Sequence, residues 1–210
     1  MKITRSIETI APEWFLDVAK GFKANVELKE WEKQGKPVPA PHRVKQLVIE
    51  SYQKAFGIHI FIETGTFMGD MVYAVRKYFK VIYSIELGSD LWQAAVERFK
   101  KKTHITILQG DSGKVLIDLV PQIKEKAIFW LDGHYSSGVT AKGDKNCPIF
   151  EELSAIFDSK INHILLIDDA RCFNGSCDYP TIEELSAFIL SKRSQSVIEV
   201  KDDIIRVIPG

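Results

Sequence analysis

The stretch IHIFIETGTFMGD, residues 58–70, decides the fold. Its first half is an apolar run rich in β-branched residues, which predicts a strand at 58–62. Its second half carries Gly65 and Gly69 and leads directly into an amphipathic helix. Glycines at such a turn let the backbone approach a ligand closely and direct amides at it, although a tight strand-to-helix turn also uses glycine for steric reasons.

The same alternation of strand and helix continues along the chain. Because strands joined by helices pair in parallel, and because these strands are almost wholly apolar, we expect a sheet that is covered on both faces. Strands are predicted at 81–85, 105–108, 127–131 and 163–167, and helices at 71–79, 90–100, 113–123 and 149–157.

The C-terminal part ends the pattern differently. Thr181 and Glu184 form a capping box that opens a helix through Leu190, and segments 197–200 and 204–208 then flank a hairpin-length turn. The sequence therefore predicts an α/β fold, with a doubly wound, Rossmann-like sheet of five parallel strands, a C-terminal antiparallel hairpin and helices on both faces.

The N-terminal part reads as helical, with a break at Pro37, Pro39 and Pro41. We expect residues 1–56 to form a helical extension that serves as a cap or as a homodimer contact. Residues 57–210 are expected to form the main domain.

Composition excludes several classes of protein. Lys and Arg number 28, as do Asp and Glu, so the chain lacks the basic surplus of a nucleic-acid binder. It has no apolar run near the roughly 20 residues of a membrane span, no apolar secretory core near its start, and only three cysteines. The expectation is a soluble cytoplasmic protein with neither nucleic acid nor membrane as a partner.

Acidic residues follow the predicted strands. Glu86 ends the second strand 21 residues after Gly65, a separation at which an acid meets the ribose hydroxyls of a nucleoside. After the third strand, Asp111 is suited to an adenine amino group and Ser112 to capping the next helix. A solvated acid at Glu86 and a helix cap at Asp111 are the structural alternatives.

These features together resemble class I S-adenosylmethionine-dependent methyltransferases, over residues 58–208. The resemblance implies that S-adenosylmethionine is the methyl donor. The usual glycine-rich turn of that superfamily has a further glycine where Phe67 stands. The residues implied to bind the cofactor are Glu63, Gly65, Thr66, Gly69, Glu86, Asp111, Ser112 and Asp132.

A second acidic group follows the fourth and fifth strands. Asp132 ends one of them, and Asp168 and Asp169 end the other. If these strands are neighbours, the three carboxylates converge, and oxygen ligands of this kind suit Mg²⁺. Arg171 or Lys142 could supply the positive charge instead, and Asp169 could simply cap a helix.

This acidic group is similar to that of the metal-dependent sugar O-methyltransferases, the macrocin O-methyltransferase-like group. The resemblance implies that Asp132, Asp168 and Asp169 bind Mg²⁺ beside the acceptor hydroxyl.

The connection 133–148 is longer than most loops that lack secondary structure, which favours a lid over the acceptor. His134 at its start is the candidate general base, together with Asp132.

The leading hypothesis is therefore metal-assisted methyl transfer to a hydroxyl of a small acceptor, such as a sugar or another natural product. A non-catalytic nucleoside-binding module and a nicotinamide or nucleotide-sugar enzyme remain the alternatives. The missing Gly-x-Gly-x-x-Gly motif and the hairpin ending weigh against a nicotinamide enzyme.

Overall fold

A computed structural model describes residues 13–133 and 147–210 of the chain. The helices are α1 (Glu13–Lys33), α2 (His42–Phe56), α3 (Asp70–Val75), α4 (Ser89–Phe99), α5 (Ser112–Leu119), α6 (Ile149–Phe157) and α7 (Ile182–Lys192). The strands are β1 (Ile60–Thr64), β2 (Val81–Glu86), β3 (Ile105–Gln109), β4 (Ala127–Leu131), β5 (Ile164–Ile167), β6 (Val197–Lys201) and β7 (Ile204–Ile208). Short 3₁₀ turns follow α5 and β5, at Val120–Gln122 and Ala170–Cys172.

The strands form one sheet in the order β3-β2-β1-β4-β5-β7-β6. Strands β1 to β5 pair in parallel, whereas β7 runs antiparallel to both β5 and β6. The predicted fold class is confirmed, including the antiparallel ending. The chain reverses its direction of winding between β1 and β4, which makes their carboxyl ends the topological switch point.

Three predicted boundaries were wrong, each for a local reason. Strand β1 begins at Ile60 because Gly57 adopts a left-handed conformation that ends α2, and the amide of Ile58 donates to Gln53 O at 3.2 Å. Helix α3 stops at Val75 and continues as a turn. Helix α5 gives way to a 3₁₀ turn where Pro121, which lacks an amide hydrogen, takes an early position.

The sheet separates two buried apolar layers. Alternate residues of β4 face opposite sides, so Phe129 and Leu131 enter one layer while Ile128 and Trp130 enter the other. The first layer is closed by α5, α6 and α7, and the second by α2, α3 and α4. Both faces are therefore covered, as the apolar strands predicted.

Helix α2 contributes to the second layer directly. Val48 and Ile49 are buried in it, together with Phe61 of β1 and Trp130 of β4. The boundary at residue 56 and the dimer contact stay predictions. No described helix combines the length and the apolar character that crossing a membrane requires.

The hairpin β6–β7 turns through Asp202 and Asp203, whose φ angles are 55° and 63°. Two successive left-handed residues are the geometry of a type I′ hairpin turn, for which Asp is among the better non-glycine residues. The turn brings Asp203 back to the segment that follows β5, where its carbonyl accepts from the amide of Ala170 at 2.9 Å.

Candidate active site

The carboxyl ends of the central strands meet at one edge of the sheet. The amide of Gly65 donates to Ile85 O at 2.9 Å, and the amide of Asp132 donates to Thr64 O at 3.2 Å. The residues that follow β1, β2 and β4 are therefore contiguous. The structure brings the sequence-predicted acids together along this edge, although their chemical roles stay predictions.

Gly65 occupies a position that only glycine fits. Its φ is +83°, and a Cβ atom there would lie 2.4 Å from Asp132 O. Glycine is therefore required at this turn for steric reasons, the alternative that the sequence analysis left open. The absence of a side chain allows the loop after β1 to pack against the end of β4. Gly69, with φ +74°, precedes α3 as its N-cap.

The Glu86 carboxylate is buried and spans the first loop. One of its oxygens accepts from the amide of Phe67 at 2.7 Å, and the other accepts from the amide of Gly88 at 2.9 Å. Phe67 has φ 47°, a left-handed conformation, at the position where the methyltransferases that the sequence resembles have glycine. A carboxylate has about four acceptor positions, so Glu86 keeps capacity for the two hydroxyls of a ribose.

Glu63 lies inside β1, one strand away from Glu86, and its side chain is buried. Burial raises the pKa of Glu63 to about 8, and the nearby carboxylates of Glu86 and Asp70 act in the same direction. Ser84 donates to Glu63, and Thr66 Oγ1 lies 2.6 Å from Ser84 Oγ. Glu63 and Thr66 therefore belong to one buried polar chain.

Asp111 and Ser112, the two residues predicted to bind the cofactor after β3, make different contacts. Asp111 is the N-cap of α5 and accepts from the amide of Lys114 at 3.3 Å. The prediction that Ser112 caps this helix was wrong, because Ser112 Oγ instead donates to Glu152 Oε1 at 2.5 Å.

Glu152 was missed in the sequence. It is 0% exposed, and burial raises its pKa to about 7. Within the described residues its Oε2 atom has no hydrogen-bond partner, and its Oε1 atom would lie 2.9 Å from a Cβ placed on Gly133. Its spacing from Ile149 and Leu153 puts it on the buried face of α6, and this periodicity is the signal that could have found it.

We call the group Asp132, Asp168 and Asp169 the acidic edge. The amide of Asp168 donates to Leu131 O at 3.0 Å, which holds the end of β5 beside the residue that precedes Asp132. The expected convergence of the three residues is therefore observed. Burial raises the pKa of Asp132 well above its ordinary value, and the charges of Asp168 and Asp169 raise it further.

Lys45 of α2 supplies positive charge to the acidic edge. Its ammonium group forms an ion pair with Asp168 Oδ2 and lies 3.3 Å from Asp169 Oδ1. Burial acts to lower the pKa of Lys45, but these carboxylates outweigh it and raise the pKa above its ordinary value. Sequence reasoning had considered Arg171 and Lys142 for this task and missed Lys45.

Arg171 carries the second positive charge. Its guanidinium donates to Asp169 Oδ1 at 2.9 Å and also pairs with Asp203 of the hairpin turn. Burial acts to raise the pKa of Asp169, but Lys45 and Arg171 together hold it below its ordinary value. Asp169 precedes the 3₁₀ turn in a left-handed conformation but makes no side-chain capping bond.

The predicted lid with His134 and the predicted magnesium site are not tested by these contacts. His134 and most of the predicted lid 133–148 lie outside the described residues, and so does Lys142. Within the described part of the chain, no group of three or more His, Cys, Asp or Glu residues is arranged to hold a metal ion. The magnesium site at the acidic edge stays a prediction.

Comparison with known proteins yields solved structures only. No protein-family model matches the sequence, and no curated protein matches it. A methyltransferase of Podospora anserina solved with bound SAH is 16% identical, with a TM-score of 0.57 over 96% of this chain and 98% of that one.

Two further structures are similar to the same degree. An O-methyltransferase of Streptomyces achromogenes involved in tomaymycin synthesis, solved with SAM, is 13% identical, with a TM-score of 0.57 over 89% of both chains. An O-methyltransferase of Bacillus cereus solved with SAH is 12% identical, with a TM-score of 0.56 over 97% of this chain and 96% of that one. At such identities the likeness establishes the fold: the chain has the Rossmann-like sheet of these methyltransferases, antiparallel hairpin included.

Proposed function

We propose that this protein is an S-adenosylmethionine-dependent methyltransferase that methylates an oxygen of a small acceptor. The observation that carries the proposal is the buried Glu86 carboxylate, fixed by the amides of Phe67 and Gly88 at the end of β2. It lies beside the first glycine turn, on the edge where this type of sheet binds ligands. The solved methyltransferases with the same fold were crystallised with SAM or SAH, which supports this choice of ligand.

The chain's own residues divide the work of binding. Glu86 would accept hydrogen bonds from the ribose hydroxyls, and Asp111 with Ser112 would border the adenine. Glu63, Gly65, Thr66 and Gly69 would shape the methionine end of the site. Bound S-adenosylmethionine supplies an electrophilic methyl group, so the remaining tasks of the protein are to align the acceptor and to remove its proton.

Asp132 and His134 are the proposed proton acceptors. Burial and the neighbouring carboxylates raise the pKa of Asp132, and a carboxyl group of raised pKa is a better base than an exposed one. The acceptor hydroxyl would lie beside Asp132, at the mouth of the acidic edge. A sugar or another small natural product with a free hydroxyl is the proposed acceptor class.

Magnesium assistance fits these residues poorly. Two of the three carboxylates that would bind the ion, Asp168 and Asp169, already contact the ammonium of Lys45. The proposed mechanism therefore has no step through a metal.

The sheet itself disfavours a nicotinamide enzyme. A dinucleotide-binding Rossmann sheet continues with a sixth parallel strand, whereas here β7 is inserted antiparallel beside β5. A nucleoside-binding module without turnover remains compatible with the fold, because one scaffold carries many functions.

Calorimetric titration with SAH tests the proposal. We expect the protein to bind SAH, and we expect Glu86→Gln to weaken binding at least tenfold, about 1.4 kcal/mol, because the amide cannot accept on both sides. Glu97→Gln is the matched control, since Glu97 lies exposed on α4 and its ion pair within the described residues is with Lys100, directly after that helix. Failure of the unmodified protein to bind SAH at high micromolar concentration would rule the proposal out, and a fluorescence titration with NADH would then examine the nicotinamide alternative.

A further inference from the structure

We propose that Lys45, rather than a divalent metal ion, is the resident cation of the acidic edge, and that Lys45 keeps metal ions out of it. The inference rests on the proposed function only in treating the acidic edge as part of the acceptor site. Its test measures metal binding and not methyl transfer, so failure of the one can be told apart from failure of the other.

Three carboxylate oxygens that a metal would need at the acidic edge already accept hydrogen bonds. Asp168 Oδ2 accepts from the Lys45 ammonium, and Asp168 Oδ1 accepts from the amide of Asp169 at 2.8 Å. Asp169 Oδ1 accepts from Lys45 at 3.3 Å and from Arg171 Nη1 at 2.9 Å. Asp168 therefore has a donor on each of its oxygens, and Asp169 Oδ1 has two donors, both of them cationic.

An ion and the ammonium group cannot share that space. Mg²⁺ binds carboxylate oxygens at about 2.0–2.1 Å with near-octahedral geometry. An ion bridging Asp168 Oδ2 and Asp169 Oδ1 would compete with the Lys45 ammonium, which contacts both of these atoms. The two cations would also repel each other at contact distance, so binding of one excludes the other.

Lys45 is held in place by the helix that carries it. Its side chain is only 14% exposed, and Val48 and Ile49 on the same helix are buried against the sheet. Moving the ammonium aside would leave Asp168 buried without its ionic partner, which is costly. Lys45 is thus a positioning residue that ties α2 to the end of β5 and fixes the two aspartates.

Mg²⁺ titration of three proteins tests this inference. Thermal unfolding is followed with and without millimolar MgCl₂, at ionic strength matched with KCl, and binding is measured by calorimetry. We expect no Mg²⁺-dependent shift for the unmodified protein, but a rise in Tm and measurable binding for Lys45→Met, because a ligand that binds only the folded state stabilises it. Lys23→Met, in which an exposed lysine of α1 is lost, is the control and should behave like the unmodified protein.

The other outcomes contradict the inference. Mg²⁺ binding by the unmodified protein would mean that Lys45 yields to the metal. A folded Lys45→Met that ignores Mg²⁺ would mean that the ammonium does not stand where a metal would bind. If Lys45→Met and the polar variant Lys45→Gln both fail to fold, Mg²⁺ added during refolding should restore them, and absence of that rescue would equally overturn the inference.

Discussion

Glu63 and Glu152 are buried carboxyls whose pKa values, about 8 and about 7, lie well above those of exposed glutamates. Both lie under the edge where the central strands end, Glu63 in β1 and Glu152 on α6. Burial disfavours their ionised forms, so each costs stability when it loses its proton. At these two groups the folded protein therefore binds more protons near neutral pH than the unfolded chain does.

This difference predicts the pH dependence of stability. The contribution of Glu63 is fully present below the unfolded pKa of about 4.5, and it is lost as the pH rises through about 8. As the pH rises from 5 to 8, the unmodified protein should therefore lose stability relative to Glu63→Gln. The difference between their free energies of unfolding should change by up to about 1.4 kcal/mol per pH unit. Urea unfolding at several pH values measures the difference. If the unfolding free energies of the two proteins change in parallel with pH, the prediction is wrong.

Single residues show where prediction from sequence stops. Glu86 and the acidic edge were predictable, because each directly follows an apolar strand and parallel strands end at the same edge. Lys45 was not, since it lies 123 residues before Asp168 and sits on a helix whose docking no local pattern specifies. Repulsion among the three carboxylates predicts a cation at the acidic edge, but it does not predict which helix carries that cation.

At the scale of elements, the hairpin turn braces the segment that carries Asp169. Asp203 is buried and accepts from the Arg171 amide at 2.9 Å, while its second oxygen pairs with the Arg171 guanidinium. The neighbouring Asp202 has a different partner and accepts from Arg206 at 3.0 Å. The two turn residues therefore stabilise different parts of the sheet end.

Asparagine substitutions separate the two roles. Asparagine tolerates the left-handed conformation of both positions, so Asp203→Asn removes the charge without straining the turn. We expect Asp203→Asn to lower the free energy of unfolding by about 1–3 kcal/mol, since it leaves a charged hydrogen bond incomplete. Amide exchange at residues 169–172 should quicken as well. Asp202→Asn is the matched control. If it speeds amide exchange at 169–172 as much as Asp203→Asn does, the Asp203 contacts are not what stabilises this segment.

At the scale of the whole molecule, α2 is part of the sheet's second layer. Ile49 is 0% exposed and lies in one apolar cluster with Phe61 and Trp130. The sequence separated residues 1–56 from the rest because prolines follow α1 and the strand pattern begins only afterwards. Strand and helix order follow from local periodicity, and so the fold was predictable; which helices cover which face depends on contacts between distant residues.

Core packing of α2 predicts the effect of truncating Ile49. Ile49→Ala should lower the free energy of unfolding by about 2–5 kcal/mol and keep a single cooperative transition, because a fully buried side chain is removed from a shared core. Ile117→Ala, at a side chain that is 61% exposed on α5, should change it far less. Denaturant unfolding followed by circular dichroism and tryptophan fluorescence compares the two. Two separate transitions, or equal effects of both substitutions, would instead indicate a detachable N-terminal unit.

The Arg171–Asp203 contact also bears on the order in which the protein is made. The ribosome synthesises Arg171, in the loop after β5, 32 residues before Asp203, the aspartate that anchors this loop. Until that aspartate emerges, the nascent chain holds all five parallel strands but leaves the Arg171 guanidinium without this anchor. Completion of the acidic edge is thus deferred until the hairpin has been translated.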